Sequence, residues 1–514
     1  MTLSKMKVDY TLYLVTDSGM VPESSLFLKQ VEDSINSGAT IVQLREKSLS
    51  TLEFIKRAEQ VHKLTQKQGI PLIINDRVDV ALAVNAEGVH VGQDDMPAAI
   101  ARKLIGDDKI LGVTCSNVTE VQEVVEQGIA DYVGLGTVYK TNTKKDVTDP
   151  EGTGPSGIRR MLRVLQKHNS KSGAKKIQSV AIGGINHSNV RNVMFQCAVP
   201  GEKINGVAVV SCIMANENAA EATLLLSQLI SSAPYGYEPY EESQYLDDYQ
   251  HSLKQLSSSS PMIHHITNNV VKNFSANVTL AIGASSIMSE FDEEFNELAS
   301  TPNTALVLNL GTPSKEMMKI FKNSIIAHQS RNPIVFDPVG CGASKGRLEC
   351  CRQLLDTGYF AVIKGNVGEI SALRKLTSSY RESQSKSYMR GVDSISNLTE
   401  EEIIEIGKDV SIEFKAVVVI TGPTNYIIEG EDKVVKVEGG NKLMGSITGS
   451  GCALGSTIAA FVSSQARSPQ GPNNFYAAVH AVKLYNKAGA AVSEKTPGKF
   501  MASFIDELYK LTHS

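Results

Sequence analysis

The 514-residue chain lacks several features that would have fixed its class at once. No uninterrupted apolar run approaches the ~18 residues of a membrane-spanning helix. The opening stretch, Met1-Thr2-Leu3-Ser4-Lys5-Met6-Lys7-Val8-Asp9, has no apolar segment of signal-peptide length, so the expectation is a cytoplasmic protein. An excess of positive charge is missing too: the formal net charge is −4 and the basic residues are dispersed, which argues against a nucleic-acid partner or an anionic membrane surface. The seven cysteines are odd in number, include the neighbours Cys350 and Cys351, and form no paired CxxC, so neither a disulfide framework nor a zinc module is expected.

What is present is ample aliphatic content, 42% hydrophobic against 21% charged, in a chain too long for one ordinary core. In the first 230 residues, apolar runs of strand length recur in order: Thr11 to Thr16, Thr40 to Leu44, Leu72 to Asn75, Val89 to Val91, Ile110 to Thr114, Tyr132 to Gly136, Ser179 to Ile182 and Gly206 to Val210. Helical periodicity follows them, as over Thr51 to Gln68 and Thr119 to Gln127. Eight alternations in this length predict a (β/α)8 TIM barrel, in which chemistry sits where strands end.

The polar residues fall at those ends. Strand two exits through Gln43-Leu44-Arg45-Glu46-Lys47, and a period of two places Gln43, Arg45 and Lys47 on one side. Strand three exits through Ile74-Asn75-Asp76-Arg77 and strand four through Val91-Gly92-Gln93-Asp94-Asp95; Asp76 and Asp95 can share a Mg²⁺, a hard cation suited to carboxylate and phosphate oxygens. The loop Thr137 to Lys145 supplies hydroxyls and ammonium groups, while Gly183-Gly184 and Val210-Ser211 end the last two strands, where such barrels hold phosphate. Taken singly, each of these is more often a solvated strand end; their joint placement at successive exits favours a site.

These segments, with Leu12-Tyr13-Leu14-Val15-Thr16-Asp17, His90-Val91-Gly92-Gln93-Asp94-Asp95-Met96-Pro97 and Ala181-Ile182-Gly183-Gly184-Ile185, closely resemble thiamine-phosphate synthase over about residues 8 to 230. The resemblance implies that Gln43, Arg45, Lys47 and Asn75 hold a pyrimidine diphosphate, Asp76 and Asp95 the metal, and Lys144 the departing pyrophosphate. It also implies that Thr141, Thr143, the Gly184 amide and Ser211 grip a thiazole phosphate. Two departures stand out: Val113-Thr114-Cys115-Ser116-Asn117 where the family often has Ser and His, with Thr114 still offering a hydroxyl, and Gly136-Thr137 in place of Gly-Pro.

Proline, acidic residues and serines between Ser231 and Pro261 mark a seam. The expected layout is a barrel over 1–235, a linker over 236–254 and a second domain over 255–514. Tyr235, Tyr237 and Tyr240 could instead pack across a domain interface. A polar insertion, Ser378 to Asn397, reads as a surface loop.

In the second half, runs at Ala305 to Asn309, Ile334 to Phe336, Phe360 to Ile363 and Val417 to Ile420 alternate with helical stretches, predicting an open α/β sheet. Asp337, Lys364, Asn366, Glu369 and Thr421 follow these runs. The turn Thr448-Gly449-Ser450-Gly451-Cys452 then opens an apolar helix whose first amides suit an anion. Lys364 and Thr421 can meet ATP phosphates, and Asn366 and Glu369, three apart, can orient Mg²⁺ or its waters. A thiol at a helix N-terminus can fall from about 8.5 toward about 7, giving a base at Cys452; outside this turn, a small buried packing residue is the commoner role.

Ile266-Thr267-Asn268-Asn269-Val270-Val271, Gly283-Ala284-Ser285-Ser286-Ile287-Met288, Asp337-Pro338-Val339-Gly340 and the Cys452 turn resemble hydroxyethylthiazole kinase of the ribokinase superfamily. The resemblance implies a ribokinase-like α/β domain, with Cys452 as base, Asp337 and Glu369 as Mg²⁺ and phosphate ligands, and Thr448 at the anion turn. It places Asn268 and Met288 in a thiazole pocket, ATP as co-substrate, and a homo-oligomer built on trimers, with a hexamer possible. Lys364 stands where Arg is common. The alternatives are a binding protein that has lost turnover in one half, and a kinase acting on hydroxymethylpyrimidine.

Overall fold

The computed structural model describes residues 8–141, 152–199, 201–231, 248–328, 332–377, 380, 398–465 and 473–513. The chain divides into two compact units, Met1–Glu238 and Pro239–Ser514. Tyr235, Tyr237 and Tyr240, and the insertion over 378–397 apart from Tyr380, lie outside the described residues.

In the first unit eight parallel strands close on themselves: β1 Leu12–Val15, β2 Ile41–Leu44, β3 Leu72–Asn75, β4 Gly88–Val91, β5 Ile110–Cys115, β6 Tyr132–Gly136, β7 Gln178–Ile182 and β8 Gly206–Val209. Alternation along each strand builds two cores. Leu12, Leu14, Val42, Leu44, Leu72 and Ile74 point outward under the helices, while Tyr13, Val15, Ile41, Ile73, Ile110, Tyr132 and Val180 fill the barrel. A large ring inside requires a small residue opposite: a Cβ on Gly112 would lie 2.1 Å from Tyr132 Cζ.

The helix Thr51–Gln68 shows how local signals set the outer ring. Ser50 and Glu53 form a capping box, Gly69 takes the left-handed conformation at φ 67°, and Phe54, Ala58, Val61, His62 and Thr65 form the buried stripe. Truncating Phe54 would cost about 3–5 kcal/mol, as for other fully buried aromatics.

The second unit holds an eight-stranded sheet. Its strands are β9 Met262–Ile266, β10 Ser285–Ile287, β11 Thr304–Asn309, β12 Ile334–Asp337, β13 Val362–Asn366, β14 Val417–Thr421, β15 Asn425–Glu429 and β16 Lys433–Val437. The order is β10-β9-β11-β12-β13-β14-β15-β16, with β15 and β16 antiparallel and the rest parallel. Helices cover both faces, so the central strands are nearly continuous in aliphatic residues. Ala305, Val307, Val335 and Val419 pack toward the helices Ser450–Gln465 and Asn474–Ala491; Leu306, Leu308, Phe336 and Val418 pack on the opposite side. The helix Tyr249–Ser259 starts inside the stretch expected to be linker. Tyr249 and Leu253 pack on this unit's core, and Ser252 bonds His480 at 2.7 Å.

Candidate active sites

At the carboxyl ends of the barrel strands lies a cavity of about 910 Å³, lined among others by Gln43, Arg45, Lys47, Asn75, Asp95, Thr114, Thr141, Gly184 and Ser211. Nine side chains or amides proposed from the sequence thus face one space. Thr143 and Lys144 lie outside the described residues. Arg45 is held from two directions: its backbone N–H donates to Thr16 Oγ1 at 3.1 Å, and Nη1 donates to Asp17 Oδ2 at 3.2 Å.

Asp76 sits at the same rim with φ 65°, a left-handed conformation that Asp tolerates better than most residues; its N–H donates to His90 O at 2.8 Å. Lys47 Nζ stands 3.8 Å from Asp76 Oδ2. Burial first, and then the Asp95 carboxylate, raise the Asp76 pKa, against the pull of Lys47. Asp95 is itself anchored by Gly92 N–H at 2.7 Å. Two carboxylates close enough to perturb one another are a fit for a divalent cation. Among the described residues no group of three or more His, Cys, Asp or Glu side chains is arranged to hold a metal ion by itself, so phosphate and water oxygens would complete the shell, as is usual for Mg²⁺.

Sequence reasoning missed the cavity floor. Gln43 Nε2 donates to Tyr13 Oη at 3.0 Å, Tyr13 and Tyr132 hydroxyls bond at 2.7 Å, and His90 Nδ1 meets Tyr132 Oη at 2.9 Å. His90 Nε2 then meets Thr114 Oγ1 at 2.8 Å. Burial pushes both tyrosines well above the ordinary phenol range, so their hydroxyls remain protonated. Aromatic residues inside apolar strands give no polar signal in a linear reading; only barrel closure brings β1, β2, β4, β5 and β6 to one line. At the opposite side of the cavity, Gly184 has φ 67°, and a Cβ there would meet Lys140 O at 2.7 Å, which keeps the amide accessible without a side chain.

In the second unit, four neighbouring parallel strands end on polar residues: Asn309 is paired in register with Asp337, and Asn366 with Thr421. The helix Ser450–Gln465 brings Cys452 to this edge. Lys364 Nζ donates to Asp337 Oδ2 and to Gly451 O, both at 2.9 Å, and is only 3% exposed. Asn309 Nδ2 donates to Asp337 Oδ2 and to Cys452 Sγ, each at 3.1 Å. Burial alone lowers the Lys364 pKa, but the surrounding Asp337, Cys452 and Glu369 carry it above the ordinary value, so the ammonium stays charged.

The Asp337 pKa is raised, by burial first and by Glu369, with Lys364 opposing. Its Oδ1 is buried without a partner. An orphaned carboxylate oxygen, with Glu369 close enough to raise its pKa, fits a cation or its water. The expectation for Cys452 differs from the structure here. Burial and then the Asp337 carboxylate push the thiol up to about 11, outweighing Lys364 and the Asn309 donor.

Asn366 and Glu369 do face one side, as a capping box at the start of the helix Val367–Arg374. Glu369 also accepts from Gly340 N–H at 2.9 Å, which ties the Asp337 loop to this helix. Asn268 joins the set through Asn309, donating to its Oδ1 at 3.1 Å. Met288 follows β10 and is half-buried; Thr421 ends β14; Thr448 is exposed on the turn before the Cys452 helix. Asn309 was not singled out in the sequence, where it reads as the end of an apolar strand.

The description "Thiamine monophosphate synthase" matches residues 12–213, and "Hydroxyethylthiazole kinase family" matches residues 253–514. The chain is 39% identical to the thiamine biosynthetic bifunctional enzyme of Saccharomyces cerevisiae, over 100% of this chain and 97% of the relative. It is 39% identical to the probable thiamine biosynthetic bifunctional enzyme of Schizosaccharomyces pombe, over 99% and 96% respectively. The thiamine-phosphate synthase of Clostridium novyi is 43% identical across 44% of this chain and 100% of its own length. With both halves matched in order along the full length, this chain belongs to the bifunctional thiamine biosynthetic enzymes, which join a thiamine-phosphate synthase domain to a hydroxyethylthiazole kinase domain.

Proposed function

We propose that the second unit phosphorylates 4-methyl-5-(2-hydroxyethyl)thiazole with ATP. The barrel then condenses the product with 4-amino-2-methyl-5-hydroxymethylpyrimidine diphosphate, giving thiamine monophosphate and pyrophosphate. The observation that carries this reading is the single cavity lined by Gln43, Arg45, Lys47, Asn75 and Asp95 on one side and by Thr141, Gly184 and Ser211 on the other. It has donors for a diphosphate and for a monophosphate in one space.

The barrel chemistry is dissociative in this reading. Carbon–oxygen cleavage leaves a pyrimidine-stabilised cation, so the demand is for charge on the leaving diphosphate. Arg45, Lys47 and Lys144 meet that charge, Gln43 and Asn75 orient it, and Thr114 offers a hydroxyl beside it. Asp76 and Asp95 would hold Mg²⁺, which supplies further neutralisation of the diphosphate when bound. Thr141, the Gly184 amide and Ser211 keep the thiazole phosphate at the opposite end of the cavity, and Thr143 joins them by the family resemblance alone.

In the kinase, positioning and electrostatics dominate, because phosphoryl transfer passes through a loose transition state. Asn268 and Met288 would seat the thiazole; Asn366, Thr421 and the Thr448 turn would meet ATP phosphates; Asp337 and Glu369 would face Mg²⁺. Lys364 holds Asp337 in place from beneath. Cys452 acts in this reading as its thiolate, the proton it carries at rest having passed to solvent, and the thiolate accepts the acceptor hydroxyl's proton late in transfer. A cation beside Asp337 would remove one of the two causes that push the thiol up. The reading also takes the kinase units to assemble on trimer symmetry; Val270, Leu280 and Phe291 are large, apolar and exposed, the kind of surface an interface would cover. It takes the protein as cytoplasmic.

Single substitutions test the assignment. Arg45→Ala or Asp76→Ala should abolish thiamine phosphate formation while thiazole phosphorylation continues, and Cys452→Ala should lose most thiazole phosphorylation, still binding thiazole, while the synthase continues. Loss of both activities in a folded single variant would refute independent sites.

A further inference from the structure

Asn309 ends β11 and is 2% exposed. Its side chain makes three contacts, and each fixes one atom. Both Nδ2 hydrogens are used, one toward Asp337 Oδ2 and one toward Cys452 Sγ, at 3.1 Å each. Oδ1 accepts from Asn268 Nδ2 at 3.1 Å, and Asn268 Oδ1 accepts in turn from Val270 N–H at 3.1 Å. A flipped amide would set its oxygen against a carboxylate and lose both donations, so the orientation follows from the partners. Close approach of Asn268 is permitted by Gly311, at φ 46°, where a Cβ would fall 2.6 Å from Asn268 Cβ.

We propose that Asn309 is the positioning residue of the kinase: it aims the Cys452 sulfur at the acceptor hydroxyl and couples that aim, through Asn268, to the thiazole pocket. The proposal rests on the reading of Cys452 as the group that takes the hydroxyl proton. The chemical case is specific to asparagine. Aspartate would oppose Asp337 with like charge, serine has one hydrogen to give, and alanine leaves the sulfur free to rotate on its Cα–Cβ bond. As the Cys452 thiolate takes up the hydroxyl proton and becomes the neutral thiol, the same N–H continues to fix the sulfur's lone-pair direction, and Asp337 keeps its partner on the other hydrogen. With the oxygen and both Nδ2 hydrogens of Asn309 already bonded within the protein, its effect falls on turnover.

A double-mutant cycle in the full-length protein tests this, with thiazole alcohol, ATP and Mg²⁺ as substrates. Asn309→Ala should lower kcat roughly 10- to 100-fold, the range for losing one hydrogen bond to a charge-bearing group. KM for ATP should stay within about threefold. In a Cys452→Ala background the same substitution should cost less than about threefold, because there is no sulfur left to aim. Asn309→Ser should lie between, and it runs the same cycle should Asn309→Ala not fold. Equal fold-losses in the two backgrounds, or an unchanged kcat in Asn309→Ala with a slow Cys452→Ala, would overturn the role of Asn309 alone. Normal turnover by Cys452→Ala would overturn the reading of the thiol and the proposal with it.

Discussion

Lys364 offers the most quantitative test of the kinase site. The sequence suggested a phosphate ligand, yet Nζ is buried, 2.9 Å from both Asp337 Oδ2 and Gly451 O. Replacing it with methionine keeps most of the volume but strands the Asp337 carboxylate, whose other oxygen already has no partner. Removing one member of a buried pair costs about 3–5 kcal/mol. For a unit of this size each kcal/mol moves the midpoint by about 2–4 °C, so Lys364→Met should lower the kinase transition by roughly 6–20 °C. Calorimetry of the full chain reads this, with the barrel transition as internal reference. Adding Asp337→Asn should recover part of the loss, since a neutral amide is cheaper to leave buried than a charge. A Lys364→Met protein that melts like the parent and shows only a raised KM for ATP would refute the argument and return Lys364 to the nucleotide.

Two further predictions concern packing and protons. Gly112→Ala should displace the Tyr132 ring, costing the barrel about 1–3 kcal/mol by overpacking and lowering synthase turnover by breaking the Tyr13–Tyr132–His90 line, while the kinase is unchanged; paired melting and activity assays check it. In the kinase unit, burial and the His264 neighbour push His265 down to about 4 and His328 to about 3. Above pH 6.5 both are neutral folded or unfolded. Below it the unfolded chain takes up protons that the folded one refuses, so stability falls by about 1.4 kcal/mol per pH unit per histidine until the folded value is reached. Urea unfolding should therefore show the kinase transition weakened by up to about 4 kcal/mol at pH 5 relative to pH 7.5; an unchanged midpoint would contradict it.

The barrel was legible because its strands alternate with helices and each strand end carries a different polar group. β3 and β6 run over the residues expected, and Gln43, Arg45 and Lys47 share the cavity as a period of two requires. In the second unit the central strands were visible as aliphatic runs. β9 carries His264 and His265, β10 has three residues, and β16 is interrupted by Lys433 and Lys436 at the sheet edge, so none shows a long apolar run. The same blindness applies to function. A linear reading finds cations and carboxylates by type, but not that Lys364 bonds Asp337 or that Asn309 bonds a sulfur 143 positions away. Nor does it weigh burial against a helix N-terminus, which is why the Cys452 thiol moves up to about 11 and not toward neutrality.

The central claim is that two separately built sites in one chain stabilise two different phosphate leaving groups. Mixing purified Arg45→Ala with purified Cys452→Ala tests it, with thiazole alcohol, ATP, pyrimidine diphosphate and Mg²⁺ supplied together. Each protein alone should yield little or no thiamine monophosphate, and the mixture should form it far faster as thiazole phosphate passes from the first protein to the second. A mixture that stays inert, with both proteins folded, would contradict the account.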